Sequence, residues 1–345
     1  MTRVNGWVDI HAHYTPPTTA AGREAQWRGL REACFLAPEP YHWRPEDALA
    51  TMDRLGIAMQ MLSPIPVPPT LPELRAWNDY GAQLVTSHPD RFGLLAGLPT
   101  DDPDACLAEI ERGDAQTHPD GYLVTTRRAG VPLGDERLNP VWAELNRRHA
   151  VVFVHPATDM TPPLGQPVAL VEIAFETARA AVHLLYTGFF RRYPDITMVL
   201  AHCGGSLPAL SGRLGLLGAE PWVPNPEGLT AEDIRADLAR LYLDTAATGT
   251  DANLAAAVTM VPRDHFVYGA DAGVPCSDDA SMSRNLDALL GSAVLTPEEV
   301  DGLGHRAFHL FPEASRRHAA GTSLRIPPAA TGSSHTEPDR ERFPS

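Results

Sequence analysis

The sequence predicts an α/β fold, a closed (β/α)8 TIM barrel, on three observations. Eight short apolar runs alternate with segments of helical period. Five ionisable residues, His11, His13, His155, His202 and Asp271, fall at the C-terminal ends of four of those runs, where a parallel barrel gathers its site from distant parts of the chain. No Gly-rich nucleotide fingerprint follows the first run, which counts against an open doubly wound sheet. With 345 residues and 43% hydrophobic content the chain can bury a large core, and such a barrel takes roughly 250 residues or more. The expected organisation is one domain over 1–325 and a polar, Pro-containing, aperiodic tail over 326–345 that reads as disordered.

In chain order the expected strands are 7–10, 57–62, 92–98, 121–125, 150–154, 196–201, 241–244 and 266–270, each an apolar run ending in polar or Gly/Pro punctuation. Helical periodicity marks 45–55, 71–87, 102–112, 139–148, 170–193 and 250–261. The connection over 15–44, with Pro16, Pro17, Trp27, Pro38, Pro40 and Trp43, is long for a βα connection. At the catalytic face it predicts a lid loop after strand 1. The region 207–240, with its Pro221 to Pro226 cluster, is a second candidate lid or subunit contact.

Composition narrows the chemistry. A net charge of −15 disfavours nucleic acid and anionic membrane as partners, and leaves a small anionic substrate compatible with a locally positive site. All 28 basic residues are arginine. With no lysine, Schiff-base catalysis, pyridoxal-phosphate attachment, a phosphate-loop lysine and a two-metal centre bridged by a carbamylated lysine all drop out, so a single metal ion is favoured. No run approaches the roughly 18 apolar residues of a membrane span, and residues 1–5 lack a signal-peptide pattern; the expected location is the cytoplasm. Cys34, Cys106, Cys203 and Cys276 are isolated, reduced and structural in this reading.

Strand parity points to a metal. His11 and His13 are two residues apart, so their side chains share a face. His155 closes one strand before Pro156, His202 closes another before Gly204 and Gly205, and Asp271 closes the last. For any one of these histidines a structural role, satisfied by a backbone carbonyl, is the simpler account. Five ionisable groups at matching strand ends are not explained by packing.

The segments Asp9-Ile10-His11-Ala12-His13-Tyr14-Thr15-Pro16-Pro17, His155-Pro156, His202-Cys203-Gly204-Gly205-Ser206-Leu207-Pro208 and Tyr268-Gly269-Ala270-Asp271 together resemble the metal-dependent, amidohydrolase-like decarboxylases. That group includes aminocarboxymuconate-semialdehyde decarboxylase and γ-resorcylate decarboxylase. Pro45-Glu46-Asp47-Ala48-Leu49, Met52-Asp53-Arg54-Leu55-Gly56-Ile57 and residues 191–195 look most like the 6-methylsalicylate decarboxylase branch, and the resemblance covers about residues 4–312. It implies that His11, His13, His155 and Asp271 bind one divalent ion, zinc or manganese, with no organic cofactor. His202 would be a catalytic histidine near the ion, Asp271 a catalytic acid as well as a ligand, and the protein a homodimer. Val274 stands where some relatives carry an aromatic side chain, which leaves the substrate's shape open.

The reaction implied is non-oxidative decarboxylation of a small aromatic acid, an ortho-hydroxybenzoate such as 6-methylsalicylate, or a related unsaturated acid. The ion would chelate the acid, and Asp271 would protonate the ring carbon; His202 would serve Asp271 or act as base on water. A hydrolase or hydratase acting on a lactone, ester or amide is the alternative on the same ligands, and a non-catalytic ligand-binding barrel is a third reading.

Neighbouring residues receive plainer readings. Cys203 is expected to pack outside the barrel. Asp9 is a candidate hydrogen-bond partner beneath the site or a structural acceptor at the barrel floor. Asp244 is a candidate site-lining residue, and Arg127 and Arg128 are candidates for a substrate carboxylate or a solvated face. His42 and the other histidines are expected on surface or helix. The apolar stretch 168–190, with Phe175, Val182, Leu185, Tyr186 and Phe189, could bury a subunit contact or pack on the barrel.

Overall fold

A computed structural model describes residues 4–65, 70–159 and 164–325; the tail expected at 326–345 lies outside the described residues. Seven parallel strands form one curled sheet in sequential order: β1 Trp7–Tyr14, β2 Ile57–Pro64, β3 Phe92–Gly97, β4 Gly121–Thr125, β5 Val151–His155, β6 Thr197–Leu200 and β7 Tyr242–Leu243. Because helices cover the outside and side chains fill the inside, the strands are apolar on both faces, and every residue of β1 is buried. Val8, Ile10, Met59, Met61, Leu95, Leu123, Phe153, Val199 and Val267 form the inner core. The larger outer core, with Trp7, Phe92, Trp142, Leu200 and Phe266, lies between strands and helices. Each such fully buried large side chain contributes about 1.5–3 kcal/mol.

The expected eighth strand, 266–270, is not a strand. The segment runs where a strand would close the barrel, joined to β7 by the bridge Leu243–Phe266 and to β1 by Ala12–Ala272. Val267 N keeps a ladder bond to the Leu243 carbonyl, but the next three N–H groups go elsewhere: Tyr268 N to the Leu303 carbonyl, Gly269 N to Thr245 Oγ1 and Ala270 N to Asp9 Oδ1. Side chains and a helix have taken most of the bonds that a ladder needs.

Helix boundaries follow their caps. Pro45 opens Pro45–Leu55 and left-handed Gly56, at φ +82°, closes it. Thr70 and Glu73 form a capping box at the start of Leu71–Ser87, and Asp102 caps Pro103–Arg112. The helix expected over 170–193 is two, Glu172–Tyr186 and Phe189–Arg192, broken at Gly188 with φ +69°. The helix expected over 250–261 is shorter, Asp251–Ala257. The connection after β1 is not an open loop, for it carries helix Ala20–Glu32. Further helices cover Leu207–Leu217, Ala231–Leu238, Asp279–Leu290, Pro297–Leu310 and Pro312–Arg325. Among the described residues no helix is long and apolar enough to cross a membrane.

Candidate functional site

The C-terminal ends of β1, β5 and β6 and the turn at 271 open into one cavity. β1 reaches it through an irregularity: three steps of β1, Asp9 to Ala12, lie against two of β2, Gln60 to Leu62. Such a bulge re-aims side chains at a strand end. Asp9 braces it from below, accepting from His11 N and Ala270 N, each at 3.0 Å, and from Gln60 Nε2 at 3.0 Å. Asp9 is thus a buried structural acceptor, and burial pushes its carboxyl up to about 7 against those hydrogen bonds.

His11, His13, His155 and Asp271 each bring a ligand atom to one place, all within 4.8 Å of one another. Three outer contacts orient the rings. His11 Nδ1 lies 2.6 Å from Asp244 Oδ2, His155 Nδ1 lies 2.9 Å from the Pro156 carbonyl, and His13 Nδ1 lies 3.0 Å from Ser63 Oγ. A carboxylate and a carbonyl only accept, and the Ser63 hydroxyl already donates to the Ala12 carbonyl, so each ring carries its proton on Nδ1 and a lone pair on Nε2. His11 Nε2 and His13 Nε2 then face each other at 3.1 Å, with Asp271 Oδ1 at 3.2 and 3.5 Å. Lone pairs and a carboxylate aimed at one point repel unless a proton or a metal cation sits among them. Three imidazoles and one carboxylate, each ring held by an outer partner, fit a first-row divalent ion.

The electrostatics agree. Burial opposes charge on His11, but Asp244 and Asp271 overcome it and raise the imidazole to about 10. Burial holds His13 and, more strongly, His155 below the ordinary imidazole value, His155 also being crowded by its neighbouring imidazoles. Burial would raise Asp271, yet facing His11 holds its carboxyl well below the usual range, with His13 and His202 adding to the effect. The field that favours a proton on His11 favours a divalent cation in its place, and the two compete for one lone pair.

His202 stands outside this set, with Nε2 3.7 Å from Asp271 Oδ2 and its ring 4.9 Å from that of His11. Its Nδ1 is buried and has no hydrogen-bond partner among the described residues. Asp271 therefore presents two different oxygens: Oδ1 to the paired imidazoles, Oδ2 to His202 and, at 3.9 Å, to the Cys276 thiol. Asp271 and His202 both hold left-handed backbones, φ +56° and +54°, a strained conformation for such side chains that costs about 1–3 kcal/mol and gathers at functional sites.

The cavity, of about 590 Å³, is lined by His155, His202 and Asp271 together with Trp27, Trp43, Trp77 and Val274. His42, expected at the surface, is exposed at its rim. Other expectations resolve differently. Asp244 does not line the cavity; besides holding His11 it accepts from Cys203 N and Ala246 N. Cys203 packs in the outer core. Arg127 pairs with Asp159 and Glu176, and Arg128 with Asp101, so neither lines this cavity. In 168–190, Leu185 and Phe189 are buried while Phe175 is exposed. Sequence reasoning missed Ser63, which sits opposite His13 in the β1–β2 register, one residue past the expected end of β2. It also missed Tyr41, Trp77 and Cys276 on the cavity wall, and these carry no motif.

Comparison with known proteins gives a consistent picture. The amidohydrolase family pattern matches residues 8–311. Decarboxylase yanB of Aspergillus niger is 31% identical over 340 residues, covering 88% of this chain and 87% of its own. The 6-methylsalicylic acid decarboxylase acuB of Aspergillus aculeatus is 29% identical over 91% of this chain and 98% of its own. Among solved structures, a dihydroxybenzoic acid decarboxylase of Polaromonas sp. JS666, with bound manganese and the inhibitor 2-nitroresorcinol, superposes with a TM-score of 0.71 at 22% identity, over 90% of this chain and 97% of that one. The chain belongs to the amidohydrolase family.

Proposed function

We propose that this amidohydrolase-family protein is a carboxy-lyase, a metal-dependent, non-oxidative decarboxylase of a small aromatic acid with a hydroxyl ortho to the carboxylate, 6-methylsalicylate being the type. The observation that carries the reading is the convergence of His11, His13 and His155 Nε2 with Asp271 beside an apolar cavity. Those four residues would hold the ion, zinc or manganese. When bound, it would supply Lewis-acid neutralisation of the negative charge on the acid's oxygens.

The chain's own residues then manage one proton. Asp271 Oδ2, on the side of the carboxylate turned to His202, delivers a proton to the ring carbon that bears the carboxylate. A C–H bond forms there, the bond to the carboxylate carbon breaks, and its electron pair restores the aromatic ring as carbon dioxide leaves. Because Asp271 is held ionised at rest, His202 supplies the proton it passes on, replenished from solvent through the cavity. The apolar wall excludes bulk water from the reacting carbon and strengthens these contacts.

A hydrolase or hydratase would use the same donors; the decarboxylase relatives favour decarboxylation. The reading also takes residues 1–325 as one domain, the segment 15–44 as a lid, the cytoplasm as the compartment and a homodimer as the assembly. Exposed Leu170, Phe175, Leu210, Leu216 and Trp222 supply apolar surface for that assembly. In D2O, manganese-loaded protein should convert 6-methylsalicylate to carbon dioxide and 3-methylphenol deuterated at the carbon that bore the carboxylate. Failure to release carbon dioxide, or a product without deuterium there, overturns the proposal.

A further inference from the structure

A single-ring hydroxybenzoate fills little of this cavity. It takes about the space of seven waters at roughly 30 Å³ each, about a third of the 590 Å³ enclosed. Its acid end belongs at His155, His202 and Asp271, and the remaining space runs along Trp27, Leu30, Phe35, Trp43, Trp77 and Ile173. The volume lies in the range that takes larger ligands, roughly 300–1,000 Å³.

Helix Ala20–Glu32 gives an independent reason to expect a larger occupant. None of its residues is buried, although a 13-residue helix is marginal in water without a packed face, the limit being about 12–15 residues. Two of its apolar side chains, Trp27 and Leu30, line the cavity. Trp27 is held in place there, its Nε1 donating to the Ala37 carbonyl at 2.8 Å and the Arg31 guanidinium lying 5.1 Å from its ring centre. The helix thus turns apolar surface into the cavity that His155, His202 and Asp271 also line.

We infer that the natural substrate is an ortho-hydroxybenzoate carrying, on the far side of the carboxylate from its hydroxyl, an alkyl chain several carbons longer than methyl, seated against Trp27 and Leu30. This rests on the decarboxylase reading and extends it to the substrate's tail. The chain completes the buried face that helix Ala20–Glu32 lacks, and each methylene transferred from water contributes about fourfold in binding.

The test is a 6-alkylsalicylate series from methyl to pentyl on manganese-loaded enzyme, read as kcat/KM, beside the affinities of the matching 3-alkylphenol products measured by quenching of tryptophan fluorescence. Both should climb with length, on the order of 100-fold across the series, with the gain mainly in KM. Trp27→Ala and Leu30→Ala should flatten the slope, and Leu30→Trp, which fills the cavity without removing contact, should lower pentyl activity more than methyl. A best substrate at methyl with flat product affinity overturns the inference and leaves decarboxylation intact. Phenol affinity that climbs with length while no acid is decarboxylated supports the apolar seat and sinks the decarboxylase reading instead.

Discussion

Replacing Asp244 by asparagine keeps the side chain's volume and an oxygen for Cys203 N and Ala246 N, which Asp244 Oδ1 accepts at 3.3 and 3.1 Å. What changes is the atom facing His11 Nδ1 at 2.6 Å, where an amide donor replaces a carboxylate acceptor. Two donors cannot share that contact, so His11 must carry its proton on Nε2, the atom aimed at His13 and Asp271. Loss of a partner that orients a ligating imidazole costs about 10–100-fold in metal affinity, or about 1.4–2.8 kcal/mol. Asp244→Ala should do more, since it also strands two buried backbone N–H groups at about 1–3 kcal/mol each. Competition with a chromophoric chelator for manganese, alongside urea unfolding of the ion-free protein, separates the two effects. Asparagine should weaken the ion with little loss of stability, and alanine should lose both. Ion affinity in Asp244→Asn within twofold of the parent refutes the tautomer argument.

Three further outcomes follow from the same geometry. His202→Gln should keep ion affinity within about threefold, because His202 lies outside the set of four, while kcat falls about 10²–10⁴-fold; loss of the ion in the same chelator assay contradicts the assignment. Gly273→Ala should cost at least ~3 kcal/mol in urea unfolding, since Gly273 sits at φ +86° and a Cβ there would lie 1.9 Å from the His13 carbonyl oxygen; a loss below ~1 kcal/mol contradicts it. Asp9 titrates at about 7 in the folded protein against an ordinary 3.8, so the folded state holds its proton more tightly than the unfolded chain does. Its contribution to stability is complete below about pH 4 and is lost as pH rises through 7. Asp9→Asn should flatten the fall in urea midpoint of the ion-free protein between pH 5 and 8, and an unchanged slope refutes the assignment.

The curled parallel sheet was legible because both faces of its strands are buried, which writes each as an apolar run; β2 to β6 begin within one residue of expectation. The eighth was misread because apolar character reports burial, and 266–270 is buried while the N–H groups of 268–270 bond to Thr245, Asp9 and a helix. Helix Ala20–Glu32 escaped notice because it buries none of its residues and so lacks a core-facing stripe. The candidate site was legible at His11, His13, His155, His202 and Asp271, since ligating residues at strand ends show in the order of the chain. The bulge in β1 was not: which of Asp9, Ile10 and His11 turns inward depends on pairing with β2, a long-range fact. Asp244 was seen as a candidate, but its partner stands 233 positions away, so its hold on His11 emerges only from the folded chain.

The central claim is most directly tested by adding manganese back to chelator-stripped protein while following carbon dioxide and 3-methylphenol formed from 6-methylsalicylate. The account predicts no turnover before addition, a linear rise that breaks at one ion per chain, and no recovery in His13→Ala. Turnover by the stripped protein, or full recovery in that variant, would contradict it.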